Sequence, residues 1–347
     1  MKKYFYRYIF LCLVFSLHQM AIGQNNNKQK RISRKNDKLR LDNACKVVKT
    51  NRNNYTTLSL NTGIMNYFGD LTPTSQYLST DPIFTRPSLG IAVGKRVGTR
   101  YLVKGVLNWG RIQGNDFRSA NPGNPNSIAR YTRNLSFRND IVELSGQIVV
   151  DLIRGKNNTT RRRLITPYFF TGAGMLYNNP KALGPVGSPY EGQWIELQPL
   201  GTEGQGIDGK DTYHRIQPFI PLGAGIRYRV NPQLDIAVEV GYRFIFTDYI
   251  DDVSTAYTDP ISLKSDLSRI MADRSLEAVS APSNQARDTE IIPYPIITDT
   301  QGPHYRGFGR QGNKRGNRDN DAYLITNLTF TYVIPQTMKL KKKRPLY

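Results

Sequence analysis

Over residues 234–246, apolar and polar positions take turns. Leu234, Ile236, Val238, Val240, Tyr242, Phe244 and Phe246 fall on one face, and Asp235, Ala237, Glu239, Gly241 and Arg243 on the other. Successive side chains of a strand point to opposite faces, so a period of two with charge on one side predicts a strand and not a helix. The segment before it repeats the pattern: Ile220, Leu222, Ala224, Ile226, Tyr228 and Val230 alternate with Pro221, Gly223, Gly225, Arg227 and Arg229. The alternation returns at 142–152, where Glu143, Ser145, Gln147 and Asp151 form the polar face, and at 324–334. In all, strands are predicted near 55–67, 87–97, 100–111, 134–153, 167–178, 213–230, 233–248 and 320–334.

The connections carry a second pattern. Short links (97–99, about 154–166, 231–232) alternate strictly with long ones (68–86, 112–133, 179–212 and 249–319). Outer-membrane barrels have short periplasmic turns and longer external loops, whereas a soluble β-sandwich has no cause for the asymmetry. The expected fold is therefore all-β: a transmembrane antiparallel up-and-down β-barrel of about eight strands over 55–334, with a soluble β-protein as the rival. In hydrocarbon every backbone polar group must find a partner within the protein, which requires closure. Eight strands enclose a space that side chains can fill. Alternation sends Lys104, Glu143, Gln147, Arg227, Glu239 and Arg243 inward, either as a salt-bridged plug or simply as a polar lining; no open pore is expected. Trp109 and the run from Pro167 to Phe170 read as girdle aromatics.

The flanks change the picture. Lys2, Lys3 and Arg7 precede an apolar core at 9–15 and a small-x-small site at Ala21-Ile22-Gly23, the layout of a secretory signal peptide over 1–23. The apolar run is far shorter than the roughly 20 residues of a spanning helix. Cys45 is the one cysteine after this leader, so no internal disulfide is expected. Residues 24–54 read as a basic flexible tail.

Formal net charge is +21. Beyond the leader, the excess sits in three segments. The tail 24–54 has ten basic residues against two acidic; the link 154–166 and the tail 335–347 have five basic residues each and no acidic one. All three fall on the periplasmic side of the expected topology. Clustered charge attracts opposite charge over about a Debye length. Arg31, Arg34, Lys35, Arg161, Arg162, Arg163, Lys341, Lys342 and Lys343 are thus candidate contacts for an acidic periplasmic partner: a protein surface, anionic lipid or cell-wall polymer. The bland reading is that they aid solubility in transit. Nucleic acid, the usual partner of so basic a chain, is excluded by export.

Chemistry is sparse. His214 and His304 have no metal-ligand spacing, and there is no nucleophile elbow or phosphate loop. Asp248, Tyr249, Asp251 and Asp252 form a cluster that lacks the spacing of a calcium loop, so a turn or capping role is expected. Gly201, Thr202, Glu203 and Gly204 read as a tight external turn. A rim enzyme using Asp251 or His304 is a remote alternative; no catalytic residue, cofactor or metal is expected. The Gly/Arg/Asn-rich end of the last long connection, 306–320, suggests mobility.

Several longer words occur in order: NLSFRN (134–139) with Glu143, TPYFFTGAG (166–174), NPKA (179–182), LQPLGTEGQG (197–206), FTDYIDDVST (246–255) and RG (306–307). They resemble the PorG-like outer-membrane barrel family of the type IX (Por) secretion system over roughly 55–334. The resemblance implies a non-enzymatic multi-pass outer-membrane barrel that contacts a periplasmic ring of a lipoprotein and its partner. The alternative is a stand-alone structural or surface-binding barrel.

Overall fold

The computed structural model describes residues 50–72, 84–154, 162–207, 209–288, 297–299, 302–304 and 308–337. The signal peptide, the basic tail 24–54 up to residue 49 and the tail from 338 onward lie outside the described residues. The chain divides into two compact units, Met1–Asn51 with Thr337–Tyr347, and Arg52–Gln336. The second unit holds the barrel.

Among the described residues, eight long strands form the wall: β1 (Thr50–Phe68), β2 (Arg86–Val97), β3 (Tyr101–Asn115), β4 (Ser136–Asp151), β5 (Ile165–Tyr177), β6 (Ile216–Arg229), β7 (Leu234–Ile245) and β8 (Ala322–Thr337). Each pairs with its neighbours in sequence, and β8 returns to β1, so the sheet is a closed antiparallel barrel. The eight predicted strands are all present, each within a few residues of its expected limits. No helix among the described residues is long and apolar enough to cross a membrane.

The wall is turned inside out relative to a soluble barrel. One register row, Leu60, Ile91, Leu107, Leu144 and Met175, runs across five strands with each residue about half exposed or more. Exposed Trp109 and Tyr177 border this band at the long-loop end; Tyr101, Phe169, Tyr228 and Tyr332 border it at the short-turn end. A continuous apolar belt of this extent far exceeds the patches that water-soluble monomers tolerate. Aromatic borders are what a hydrocarbon–water interface favours.

The interior is filled. Toward the long-loop end, Met65, Tyr67, Ile112, Phe137, Ile141, Phe219, Tyr323 and Ile325 form an apolar plug, joined by Ile250 and Val253 of the last long loop. A smaller cluster of Leu102, Val149, Tyr168, Phe170 and Ala237 lies toward the other end. This corrects the girdle reading of 167–170. Of its aromatics only Phe169 faces outward; Tyr168 and Phe170 are about 2–3% exposed and point into the lumen. Consecutive strand residues cannot share a face. The Phe170 ring fits because Gly223 and Gly241 stand opposite: a Cβ on either would approach it to 2.4 or 2.8 Å.

Candidate functional site

Lys104, Glu143, Gln147, Arg227, Glu239 and Arg243 all lie inside the barrel. Lys104 Nζ pairs with Glu239 at 3.0 Å, and Tyr168 donates to the same carboxylate at 2.6 Å. Arg96 and Arg227 hold Asp151 at 2.6 and 3.4 Å. Arg243 lies 3.4 Å from Glu143, which also accepts from Tyr323. Gln147 donates to Ser145 at 3.0 Å. The periodicity located six of these side chains; the tyrosines escaped because their hydroxyls sit on otherwise apolar rings.

At the long-loop end, two sequence motifs from separate loops meet. Glu203 accepts from the backbone N–H groups of Ser254 and Thr255, both at 3.0 Å, and from the Thr255 hydroxyl at 2.7 Å. Asp252 accepts from Thr202 and, at 2.7 Å, from Tyr213. Arg315 joins the halves, with Nη1 3.1 Å from Glu203 and its other nitrogen 3.6 Å from Asp252. The Tyr213 and Tyr249 rings stack at 4.9 Å. Gly201 makes the bend at φ +62, where a Cβ would come within 2.3 Å of the Gln205 carbonyl oxygen. The segment 201–206 is a turn, as expected, but a turn built around a buried carboxylate. The expectation of mobility for 306–320 fails where that stretch is described: Arg315 is 2% exposed and locked in place.

A second clasp lies beside it. Arg133 holds Asp116 in a bidentate pair at 2.7 and 2.8 Å and donates to the carbonyls of Asp70 and Arg315. Arg287 donates to the carbonyls of Tyr131 and Thr132, the open end of the short helix Ile128–Arg133. With Arg315 also bound to Glu203, long-range side-chain bonds tie all four of the long loops together.

Beneath this lock, Tyr67 reaches two carboxylates, Asp251 at 2.6 Å and Asp321 at 2.8 Å. The one phenol proton is shared between the two acceptors. Burial, then the Asp70 charge, pushes Asp251 well above the usual carboxylate range. Burial, then Asp251 and Asp248, does the same to Asp321. Burial also raises Asp70 and Asp252 to about 6 and Asp248 to about 9. Asp251 further accepts from the Val253 N–H at 2.9 Å, the turn-capping role expected of this cluster. Among the described residues, no three acidic, histidine or cysteine side chains converge as metal ligands. Tyr67, Asp116, Arg133, Arg315 and Asp321 carry no signal in the sequence, because their contacts join residues far apart along the chain.

Of the basic candidates, Arg31, Arg34, Lys35, Arg161, Lys341, Lys342 and Lys343 lie outside the described residues. Arg162 is turned inward: it pairs with Asp235, donates to the Pro232 carbonyl at 3.0 Å and lies over the Tyr55 ring. Arg163 donates to the Arg154 carbonyl at 3.0 Å and is more exposed.

No protein-family model matches the chain, and no curated protein does. Among solved structures, the chain is similar to the attachment invasion locus protein Ail of Yersinia pestis, with TM-score 0.34 and 8% identity over 81% of this chain and 99% of that one. It is similar to Neisserial surface protein A, with TM-score 0.30 and 8% identity over 80% and 96%. It is also similar to the outer membrane protein OprG from Pseudomonas aeruginosa, with TM-score 0.32 and 8% identity over 81% and 97%.

Proposed function

We propose that the chain is an outer-membrane barrel of a Gram-negative envelope and a component of a protein secretion machine of the type IX kind. In this reading its basic periplasmic face anchors a ring formed by a lipoprotein and its partner. The observation that carries the reading is a filled, capped cylinder; the topology expected from the sequence would put the excess charge at its periplasmic end. A barrel plugged by ion pairs and sealed by tied loops is suited to holding an assembly, not to passing solutes. The motif resemblance over 55–334 supplies the machine. The protein acts without chemistry of its own, as a fixed point in the membrane.

The test is co-purification of ring components from outer membranes. The variants are a deletion of 24–49 and Arg161→Gln with Arg163→Gln. Arg162 is left intact, because its loss would strand the buried Asp235. The ring components are expected to fall away in both, more steeply as salt rises. Normal ring assembly and normal secretion with both changes combined would remove the docking role.

One observation favours a second reading, a stand-alone surface-binding barrel. A cleft of about 430 Å³ opens at the long-loop end among Asp70, Arg130, Arg133, Phe308 and Lys314. Loss of surface binding with intact secretion, after shortening of the 308–317 segment, would favour it.

A further inference from the structure

Four arginines gather at the rim where the apolar belt ends on the long-loop side, Arg111 and Arg138 on the outward face and Arg86 and Arg118 at the lip. Arg111 is two residues beyond exposed Trp109 on β3, and Arg138 is four residues before exposed Val142 on β4. At about 3.4 Å per residue, they stand roughly 7 and 14 Å along the strands from the belt's edge. Arg86 opens β2, and Arg118 sits just after β3 in the short helical turn Asp116–Ser119. Arg86 lies within the electrostatic reach of Arg111 and Arg118, and Arg138 within that of Arg111.

Among the described residues, one carboxylate is paired with this group. Asp140 takes both arms of Arg111, at 2.6 and 3.0 Å. Arg86 donates to the Thr85 carbonyl at 2.8 Å, which satisfies a hydrogen and leaves its charge uncompensated. Arg138 lies over the Trp194 ring, 3.8 Å from its centre. Arg86 and Arg118 line a cleft of about 320 Å³ together with Phe84, Phe137, Leu183 and Trp194. The lumen pairs its cations with carboxylates, but this cluster keeps a surplus of guanidinium at a surface beside the belt. Guanidinium forks match phosphate oxygens, and apolar wall directly below matches acyl chains. A soluble anion would use only the first of these features.

We propose that this rim binds the phosphorylated headgroup of an outer-leaflet lipid, with its acyl chains laid along Leu89, Leu107 and Val142. The site rests on the membrane-spanning reading and is independent of periplasmic docking. The experiment is native mass spectrometry of the full chain in detergent micelles. The probes are a bis-phosphorylated glycolipid, the same lipid without phosphates, and inorganic phosphate. The wild-type chain is expected to retain the phosphorylated lipid. The triple variant Arg86→Gln, Arg118→Gln, Arg138→Gln is expected to bind it about tenfold more weakly or worse, while Arg310→Gln, at an exposed arginine of the last long loop, leaves binding unchanged.

Equal binding by the triple variant, with β-sheet circular dichroism retained, would overturn the site. So would equal affinity for the dephosphorylated lipid, displacement by inorganic phosphate at the lipid's own concentration, or an equal loss in Arg310→Gln. Should the triple variant not fold, exposed Arg118→Gln alone serves, since it lies outside the sheet. A failure of the spanning reading is distinguishable, because the wild-type chain would then stay monodisperse without detergent.

Discussion

The lumen and the mouth both bury carboxylates; the mouth pairs Glu203 and Asp116 with arginines as the lumen would, but it also crowds four aspartates together. In the lumen each acid faces a cation: Glu239 has Lys104, Asp151 has Arg96 and Arg227, Glu143 has Arg243, Asp235 has Arg162. At the mouth, Asp70, Asp248, Asp251 and Asp321 crowd around one tyrosine hydroxyl and one another. The first arrangement is satisfied by charge balance. The second is satisfied by retained protons. The loop lock should therefore respond to pH.

The largest effect is expected in the lumen. Lys104→Met leaves Glu239 buried without a cation and should cost about 3–5 kcal/mol, read by denaturant unfolding of the barrel in lipid. Adding Glu239→Leu should restore most of the loss; failure to do so would mean that the pair shapes the barrel rather than neutralising a charge. Arg315→Met at the mouth should cost about 3 kcal/mol, but locally. Amide exchange should quicken at 201–206 and 252–256 while strand amides stay protected, and global unfolding instead would erase the distinction between the two regions.

The pH response follows from the raised carboxyls. A group whose folded pKa is raised holds its proton more tightly when folded, so its contribution is complete below about pH 4 and fades as pH climbs through the folded value. For the mouth that window runs through about 6 for Asp70 and Asp252, then about 9 for Asp248. Beyond the intrinsic pH dependence of exchange, loop protection should fall between pH 5 and pH 9. The smallest effect is expected for Asp70→Asn, which removes from the crowd a charge that forms as pH climbs through about 6. It should steady the loops by about 1 kcal/mol at pH 8 and by nothing measurable at pH 5. An equal effect at both values would mean that repulsion is absent.

The two regions also differ in how far they could be read from the chain. Wall and lumen obey a period of two, so alternation alone placed Glu143, Glu239 and Arg243 inside. Where a run of aromatics overrode that count, at Tyr168 and Phe170, the reading failed. The mouth obeys no period. Tyr67 meets Asp321 across 254 positions and Arg315 meets Glu203 across 112. Such contacts are set by loop closure and side-chain reach, which no local pattern records. Arg315 sits in a stretch whose glycines and asparagines look mobile, yet its guanidinium is among the most deeply held in the protein.

The seat of Phe170 has a consequence for the strands beside it. Its ring lies across β6 and β7 at Gly223 and Gly241, so a methyl group on either would come within 2.4 or 2.8 Å of it. Gly223→Ala or Gly241→Ala would drive the ring into the space shared with Leu102, Val149 and Tyr168.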